Sequence, residues 1–402
     1  MLKKVLDGLF SMKAGMLYVA IFAVSIAVAT FIENDFGTSA AQKLVFRARW
    51  FEVLMFVFAA SILRNIYLHR LIPQKKWASL TFHMAIICIL AGAAVTRFFG
   101  FEGMMHIREG DSSSEFLSAE THLNFAIQQN EKLYRISEPV LFASLGRNSF
   151  EQSYQIGDQL LHTRLVGFIP NPKNKLEDSP VGKPVIKVVV AGNSGREEFF
   201  IPFGDKGVYA GTRINFGNEA MPGYQNISLE NDSLFITTAE DANYMVMATQ
   251  EKDSVKAGIK KPLRLRALYS IGNANLVVPE YNSKATVKTY SENKKIKNES
   301  TSGVMLEISD GSSKKVLELY GRKGEEGTPQ VFENEKVKVA VSYGSSVMKL
   351  PFQLHLRDFQ MDRYPGTDNP SSYASEITLE DNEKQVLRDQ RIYMNHILDY
   401  RG

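Results

Sequence analysis

Apolar residues are concentrated in three runs near the N-terminus, and the rest of the chain is patterned differently. The runs cover about residues 15–32, 51–68 and 79–99. Each is close to the roughly 20 residues with which an α-helix crosses the hydrocarbon core of a bilayer. No comparable run follows residue 99. We therefore predict a membrane protein, with a three-helix transmembrane anchor at 1–99 and a large domain at 100–402.

Short β-branched or alternating runs, separated by turn residues, fill the region 100–402. Val337, Val339 and Val341 occupy every second position, which is typical of a sheet with one solvated face. Clusters rich in Gly, Asn, Asp and Ser, such as 192–194 and 309–311, separate such runs. The pattern favours a β-rich domain, either a sandwich or an open barrel. The predicted strands are Val185–Val190, Glu198–Pro202, Val304–Ile308, Lys315–Leu319, Lys336–Ser342 and Pro351–Phe359.

Two segments of this region are predicted to be loops. Pro170–Lys175 (PNPKNK) crowds two prolines and two asparagines into six residues. Ser291–Ser302 (SENKKIKNESTS) is charged and poor in apolar residues, which indicates an exposed loop or a seam between subdomains.

The placement of positive charge predicts the orientation in the membrane. Cytoplasmic segments carry an excess of Lys and Arg. The N-terminus and the 69–76 loop should therefore be cytoplasmic, and the region after residue 99 extracytoplasmic. A cleaved signal peptide is the alternative for the first run, but that run is long and two more follow it. The supporting residues are Lys3, Lys4, Lys13, Arg64, His69, Arg70, Lys75 and Lys76, whereas Lys43, Arg47 and Arg49 oppose the rule.

Composition narrows the possible functions. The net charge of +3 is small and dispersed, which argues against a nucleic-acid partner. The single cysteine, Cys88, lies in the third apolar run, so the polar region has no disulfide and no thiolate nucleophile. This composition permits an oxidising compartment.

His83 is the main candidate functional residue, because it lies inside the third apolar run. Ionisable residues at membrane depth are costly and commonly face a bundle interior or a functional site. One interpretation is that His83 binds a metal or cofactor. The other is that a neutral His83 only hydrogen-bonds across helices, to Asn65 or Ser61 of the second run.

The remaining chemistry-bearing residues show no site pattern. His106 and Glu109 follow the third run and are expected to anchor the chain at the interface. The other histidines lack metal-site spacing, and there is no phosphate loop, G-x-S-x-G or C-x-x-C-H motif. We therefore find no self-sufficient active site. The scattered residues are His122, His162, His355 and His396, together with the turn residues Asp362, Arg363 and Asp368.

Several longer motifs resemble the ResB/CcsB family of cytochrome c biogenesis proteins, and in particular the N-terminal half of fused CcsB–CcsA proteins. The resemblance brackets nearly the whole chain and is weak at about 125–335. The motifs are Ala29–Gly37 (ATFIENDFG), Trp50-Phe51-Glu52, Phe82-His83, Ala91–Gly110, Leu350–Tyr373, Ala374-Ser375-Glu376 and Ile392–Gly402.

The resemblance implies a function in the system II pathway at the bacterial inner membrane, with the large domain on the periplasmic side. Members of the family act with CcsA as a haem exporter and cytochrome c synthase, a haem lyase that joins haem to apocytochrome c. His83 looks like the family's transmembrane histidine. It would then be an axial ligand of haem b iron, with haem shared with a CcsA partner or a fused half.

The chain also departs from that pattern. Nothing in it resembles the tryptophan-rich haem-binding segment of CcsA, and it stops at Gly402, before a further span that the family has. We expect the C-terminal end of the domain to be truncated and the chain to lack independent synthase activity. The alternative function is a membrane-tethered β-rich binding or assembly module without cofactor.

Overall fold

The computed structural model describes residues 7–192, 195–297 and 300–401, and it contains three helices that are long and apolar enough to cross a membrane. They are α1 (Met12–Ala41), α2 (Arg49–Leu68) and α3 (Trp77–Phe99). The expectation of three N-terminal helices is confirmed, and α2 and α3 begin close to their predicted first residues. Lys3 and Lys4, on which the orientation partly depends, lie outside the described residues.

Helix α1 extends beyond its predicted run and bends near its end. Ser11 caps its start, because the Ser11 hydroxyl accepts a hydrogen bond of 3.2 Å from the Ala14 N–H. Inside the helix Gly37 has φ 78° and ψ 164°, a left-handed φ that costs glycine little. A π-helical segment, Gln42–Phe46, then continues the chain to α2. The apolar run therefore predicted only the part of α1 before this break.

Helix α2 packs against both of its neighbours. Phe51 and Val45 belong to an apolar cluster that joins α2 to α1 and the π-helical segment. Ile62 and Ile66 belong to a second cluster, which joins α2 to the α3 residues Leu80, Ile86, Ile87 and Leu90. Apolar contacts therefore hold α2 against both α1 and α3.

The region after the helices is β-rich, as predicted. The chain divides into two compact units, which are unit 1 (Met1–Pro172 and Ser291–Gly402) and unit 2 (Lys173–Tyr290). The strands are β1 (Gly103–Met104), β2 (Ser112–Gln129), β3 (Lys132–Val140), β4 (Glu151–Ile156), β5 (Gln159–Pro170), β6 (Pro172–Gly192), β7 (Gly195–Pro202), β8 (Lys206–Tyr209), β9 (Thr212–Phe216), β10 (Gln225–Glu230), β11 (Ser233–Thr237), β12 (Ala242–Val246), β13 (Lys252–Val255), β14 (Lys260–Pro262), β15 (Ala267–Ile271), β16 (Ala274–Ser291), β17 (Ser302–Ser309), β18 (Lys314–Gly321), β19 (Gln330–Glu333), β20 (Lys338–Arg363), β21 (Pro370–Asp381) and β22 (Val386–Tyr393).

The β part of unit 1 is a sandwich of two sheets. The larger sheet has the order β1-β2-β20-β21-β22, with β3 paired to β2 and β19 to β20. The smaller sheet has the order β18-β17-β5-β4. Fully buried residues of both sheets, including Leu123 and Val341 of the larger and Leu306 of the smaller, form one core. Every second residue of β2 from Thr121 to Ile127 is buried, as a strand with one core-facing side requires.

Two sequence predictions within unit 1 are corrected by the structure. Lys336–Ser342 and Pro351–Phe359 do not form separate strands, because residues 338–363 form the single strand β20. The intervening Gly344 and Ser345 resemble turn residues, but both are paired with β2 in the sheet.

The predicted loop at Pro170–Lys175 is also wrong. Only Asn171 separates β5 from β6, with a φ of 46° that asparagine tolerates. Pro172 then begins β6, a position at which proline is accepted in a strand. The predicted loop or seam at Ser291–Ser302 begins where the chain returns to unit 1, and its residues 298 and 299 lie outside the described residues.

Unit 2 is a second pair of sheets with its own core. One sheet has the order β13-β12-β15-β16-β6-β7 and the other β14-β11-β10-β9-β8. The predicted strands Val185–Val190 and Glu198–Pro202 lie in the paired strands β6 and β7. Ile186, Phe216 and Tyr269 are fully buried in the core. Residues 193 and 194 of the predicted turn cluster are not among those described.

The segment after β22 is held by a buried carboxylate. Asp381 is 1% exposed and accepts hydrogen bonds from Tyr400 Oη (2.7 Å), Arg401 Nε (2.7 Å) and the Lys384 N–H (3.0 Å). Burial raises the pKa of Asp381, but these hydrogen bonds from Tyr400, Lys384 and Arg401 outweigh it and bring that pKa to about 2. The chain from 394 to 401 is therefore anchored to the end of β21. Gly402 lies beyond the described residues.

Candidate functional site

His83 lies on the side of α3 that faces α2. It is partly buried, and Leu80, Ile87 and Leu90, three, four and seven residues away, belong to the cluster packed on α2. Its Nδ1 is 2.7 Å from the carbonyl oxygen of Ser79. A carbonyl oxygen can only accept, so this contact places the proton on Nδ1 and leaves the lone pair of the neutral ring on Nε2.

The cross-helix pairing of His83 considered from the sequence is not formed. Asn65 Nδ2 donates to the Ser61 carbonyl oxygen (2.8 Å) and to the Phe10 carbonyl oxygen (3.5 Å). None of the hydrogen bonds of the described residues joins His83 to Asn65 or Ser61. Asn65 thus bonds to Ser61 of its own helix and to Phe10, just before α1, and the Nε2 of His83 has no hydrogen-bond partner in the described chain.

The connection between α1 and α2 contacts the β region of unit 1. Lys43 Nζ donates to the Leu141 carbonyl oxygen (3.2 Å) and to Asn148 Oδ1. Arg47 forms an ion pair with Glu120 of β2. Lys43, Arg47 and Arg49 are the three cations that oppose the excess of positive charge expected on the cytoplasmic side. Of these, Lys43 and Arg47 bond to the β region. The contacts also place this connection and the β sandwich at the same end of the helices.

A cavity of about 650 Å³ lies at this junction of unit 1. We call it the junction cavity. Three cationic side chains reach it, Arg47 from the helix connection, Arg97 from the last turn of α3 and Lys323 from the β18–β19 connection. Its other lining residues are Ser39, Gln42, Phe46, Thr96, Gly100, Phe101, Glu102, Ser118, Ala119, Glu120, Thr121, His122, Pro139, Val140, Leu141 and Met348. The volume falls in the range of small-molecule pockets, roughly 300–1,000 Å³.

A bulge in β2 shapes one wall of the junction cavity. Leu117 pairs with Val347 and Thr121 with Ser345, so Ser118–Glu120 oppose the single residue Ser346. Bulges of this kind redirect side chains and are common beside binding sites. The Ser118 hydroxyl closes the bulge, since it donates to the Glu120 carbonyl oxygen (2.7 Å) and accepts from the Ser346 N–H (3.0 Å).

The same network fixes His122. Its Nδ1 lies 3.1 Å from the Ser118 Oγ and 3.1 Å from the Glu120 carbonyl oxygen. Because the Ser118 proton is already given to Glu120, both partners accept, and His122 Nδ1 must carry the hydrogen. The lone pair of the neutral ring is then on Nε2, for which the described residues provide no hydrogen-bond donor.

The turn that carries Lys323 is tied to the bulge. Ser345, fully buried, donates from its hydroxyl to the Ser118 carbonyl oxygen (2.7 Å) and accepts from the Gly324 N–H (2.9 Å). Burial, with Arg47 nearby, lowers the pKa of Lys323. No hydrogen bond or ion pair joins Lys323 to another residue of the described chain.

Arg97 also has an unsatisfied donor at the cavity. Its Nη2 pairs with Glu52 and donates to the Arg47 carbonyl oxygen (3.3 Å), but its buried Nε has no hydrogen-bond partner among the described residues. A buried donor without an acceptor costs about 1–3 kcal/mol. The Lys323 ammonium and the Arg97 Nε–H are therefore two hydrogen-bond donors that are available to an anionic oxygen.

The other sequence candidates are not assembled into a site. His106 is exposed, Glu109 accepts a 2.6 Å hydrogen bond from the Phe359 N–H, and His396 stacks on Tyr393. His162 and His355 contact serine hydroxyls of neighbouring strands. The turn residues Asp362, Arg363 and Asp368 pair locally. No cluster of three or more His, Cys, Asp or Glu side chains suited to a metal ion occurs in the described residues.

Sequence reasoning missed the junction cavity, although it named several of its residues. His122 belongs to no spacing motif, so the sequence alone does not distinguish it from the other scattered histidines. The bulge that fixes its tautomer involves Ser346 of β20, far along the chain, so no local signal could have revealed it.

Residues 73–155 and 316–402 match the sequence model of the ResB-like family. The two matched segments contain His83, Arg97, His122 and Lys323, whereas Arg47 and unit 2 lie outside them.

The chain is also similar to protein NrfI of Wolinella succinogenes. The two are 26% identical over 383 residues, which is 95% of this chain and 28% of the relative, so the chain spans less than a third of that protein. The chain thus combines three N-terminal helices able to span a membrane and a large β-rich region with a similarity to the ResB-like family over residues 73–155 and 316–402.

Proposed function

We propose that this protein is the ResB/CcsB-like component of system II cytochrome c maturation. It would help a CcsA-type protein, or a C-terminal half of the same polypeptide, to export haem and present it to apocytochrome c for thioether attachment. The family match supports the pathway. The three-helix anchor supports a role at the membrane in that pathway, because its helices are long and apolar enough to span the bilayer.

The observation that carries a haem role is the Nδ1 contact of His83. Histidines that bind metals commonly donate the other ring N–H to a carbonyl or carboxylate, which fixes the tautomer and orients the ring. The 2.7 Å contact between Nδ1 and the Ser79 carbonyl oxygen meets that requirement and leaves the lone pair of Nε2 available to bind a metal. The residues present therefore fit a haem iron at this position. Haem would be cargo, held by His83 and delivered rather than consumed.

A partner would complete this site. Haem iron with two axial ligands needs a second donor, and His83 is the only histidine within the three helices of the sequence. We propose that CcsA or the fused half supplies the second ligand. Helix α3 offers a surface for such a partner, since none of its described residues is fully buried.

Replacing His83 tests the ligand role. In the complete assembly with CcsA, we expect His83→Ala and His83→Gly to lower haem affinity by about tenfold or more, the scale on which even outer-shell partners act. Haem content and the Soret band should recover in His83→Gly with added imidazole, which restores a nitrogen without the covalent side chain. Cytochrome c maturation should follow the haem content.

Ile87→Ala is the matched control, because it opens a cavity in the same α2-facing stripe without removing a nitrogen. It should keep the wild-type haem content. If both His83 variants retain the wild-type haem content and spectrum, His83 is a packing residue, and the cofactor-free tethering module is the better account.

We propose that the protein lies in the bacterial inner membrane and is oriented with its β region on the periplasmic side. It rests on the excess of Lys and Arg in the 69–76 loop and on the odd number of spans. Reporter fusions after Gly100 should behave as exported, and fusions within 69–76 as cytoplasmic. The reverse pattern would overturn both the orientation and delivery to a periplasmic apocytochrome.

A further inference from the structure

We propose that the segment 69–76 forms a binding site for the phosphate group of an anionic phospholipid. We call this segment, which joins α2 to α3, the basic loop. It lies at the end of the helices opposite to the junction cavity, since α2 begins just after Arg47 of that cavity and ends at this loop. The ligand is a lipid rather than haem, and the site does not depend on the proposed function.

The basic loop has a fixed backbone. The Lys76 N–H donates to the Leu71 carbonyl oxygen (3.0 Å), and the Gln74 N–H donates to the Arg70 carbonyl oxygen (2.9 Å). Leu71 is the one buried residue of the loop, and it packs in the apolar cluster between α2 and α3. Hydrogen bonds therefore close the loop, and an apolar side chain fastens it to both helices.

This backbone keeps three cations close together. Because Lys76 is hydrogen-bonded to Leu71, the backbone at Arg70 lies beside the backbone at Lys75 and Lys76. Arg70 and Lys75 have φ values of 47° and 52°, a left-handed conformation that is uncommon for residues other than glycine. Like charges at short range repel one another, so the fold holds these cations together against their repulsion.

No acidic side chain of the described chain neutralises the three cations. The segment from 69 to 76 contains no Asp or Glu, and the first turn of α3 contains none either. Arginines elsewhere in the anchor differ, since Arg64 pairs with Asp7 and Arg97 with Glu52. An anion from outside the chain is therefore the partner that the charge balance of the basic loop requires.

The residues around the basic loop indicate that this anion belongs to a lipid. Tyr67 before the loop and Trp77 after it are 81% and 60% exposed, and Ile72 within it is 58% exposed. Tyrosine and tryptophan are enriched where the hydrocarbon core of a bilayer meets its headgroups. The loop therefore lies at the depth of the lipid phosphates, with apolar surface beside it for acyl chains. Basic pockets between transmembrane helices bind anionic headgroups in the same way.

A bound lipid would stabilise the pairing of α2 with α3. Leu71 shares its cluster with Ile66 of α2 and with Leu80 and Ile87 of α3. An anion among the three cations would remove their repulsion at the turn and so favour this helix hairpin. The melting temperature of the protein should therefore rise when the lipid binds.

The test titrates the full chain in a neutral detergent with phosphatidylglycerol and counts bound lipid by native mass spectrometry. Phosphatidylcholine and inorganic phosphate are the comparison ligands. Phosphatidylcholine should bind about fivefold more weakly or less, because its choline group balances the charge of its phosphate. Phosphatidylglycerol should raise the melting temperature, whereas inorganic phosphate at the same concentration should not, because it lacks acyl chains.

Variants of the basic loop test each cation. Arg70→Gln and Lys76→Gln should each weaken phosphatidylglycerol binding by about fivefold, which is the effect of one cation near an anionic lipid surface. Lys75→Asn should have the same effect, and asparagine tolerates the left-handed backbone at this position. All three variants should keep the far-UV circular dichroism of the unmodified protein.

Lys13→Gln is the matched control. Lys13 lies in the first turn of α1, and the neighbouring Phe10 carbonyl oxygen accepts a hydrogen bond from Asn65 of α2 (3.5 Å). This variant therefore removes one cation at the same end of the anchor without changing the basic loop. It should leave phosphatidylglycerol binding unchanged.

Three results would overturn the inference. One is an equal loss of binding in Lys13→Gln and Arg70→Gln, which would reduce the effect to diffuse surface charge. Another is stabilisation by inorganic phosphate as large as that by phosphatidylglycerol, which would make the ligand a free anion. The last is an unchanged lipid count in all three loop variants, which would make the bound lipid adventitious. None of these measurements involves haem, so their outcome is independent of the proposed function.

Discussion

A chain from which residues 173–290 are excised is expected to keep unit 1 folded and inserted in the membrane. Unit 2 has its own two sheets and its own core, and unit 1 is complete in its sheets without it. Unit 2 lies wholly within residues 156–315, which separate the two segments that match the family model.

The ends that the excision would join are already neighbours in unit 1. The Glu292 N–H donates to the Asn171 carbonyl oxygen (3.2 Å), and Asn171 Nδ2 donates to the carbonyl oxygens of Asn293 and Lys295 (both 2.8 Å). An Asn-Gly link between Pro172 and Ser291 should therefore close as a short hairpin without strain.

Far-UV circular dichroism and protease resistance of the detergent-solubilised protein would test the excision. Residues 173–290 expressed separately should also fold, because they carry their own buried core. Excision of 302–321 is the contrasting control. It removes β17 and β18 and with them core residues such as Leu306, so that variant should not fold. An excised chain that aggregates or loses its protease-resistant core would mean that unit 1 depends on unit 2.

Leu306→Ala and Ile236→Ala are each expected to lower the free energy of unfolding by about 2–5 kcal/mol, but in different units. Leu306 of β17 is fully buried in the core of unit 1, and Ile236 of β11 is fully buried in that of unit 2. Each truncation removes apolar contacts and leaves a cavity that its close-packed surroundings fill only partly.

The two variants should affect separate transitions. Calorimetry of the full chain should show Leu306→Ala lowering the melting temperature of one transition and Ile236→Ala that of the other, with additive effects in the double variant. Leu387→Ala is the control, since Leu387 is 75% exposed and its loss should change stability by less than about 0.5 kcal/mol. A single transition that both variants shift equally would show that the two cores unfold as one.

The membrane anchor was predictable because its signal is local. Hydrophobicity summed over about 20 residues identifies a span whatever the rest of the chain does. His83 stood out for the same reason, as an ionisable residue within such a run. Only the end of α1 was missed, because the break at Gly37 depends on a backbone conformation that composition does not specify.

The β region was predicted in class but not in arrangement. Alternation correctly placed Val339 and Val341 on the core-facing side of a strand, since side chains of a strand alternate between its two faces, and Val337, one residue before β20, is also buried. It failed at Gly344 and Ser345, whose turn-like composition was outweighed by pairing with β2. The prediction of a loop at Pro170–Lys175 was wrong as well, because the single residue Asn171 makes the turn between β5 and β6.

The sequence by itself determined three membrane helices, a β-rich region after them, an intramembrane histidine and a resemblance to the ResB/CcsB family. Only the tertiary structure decided that the β region contains two units and that Arg47, Arg97, His122 and Lys323 line one cavity. The physical reason is the range of the interactions. Hydrophobic runs and strand alternation are properties of neighbouring residues, whereas the junction cavity depends on β2 pairing with β20 across the whole inserted unit.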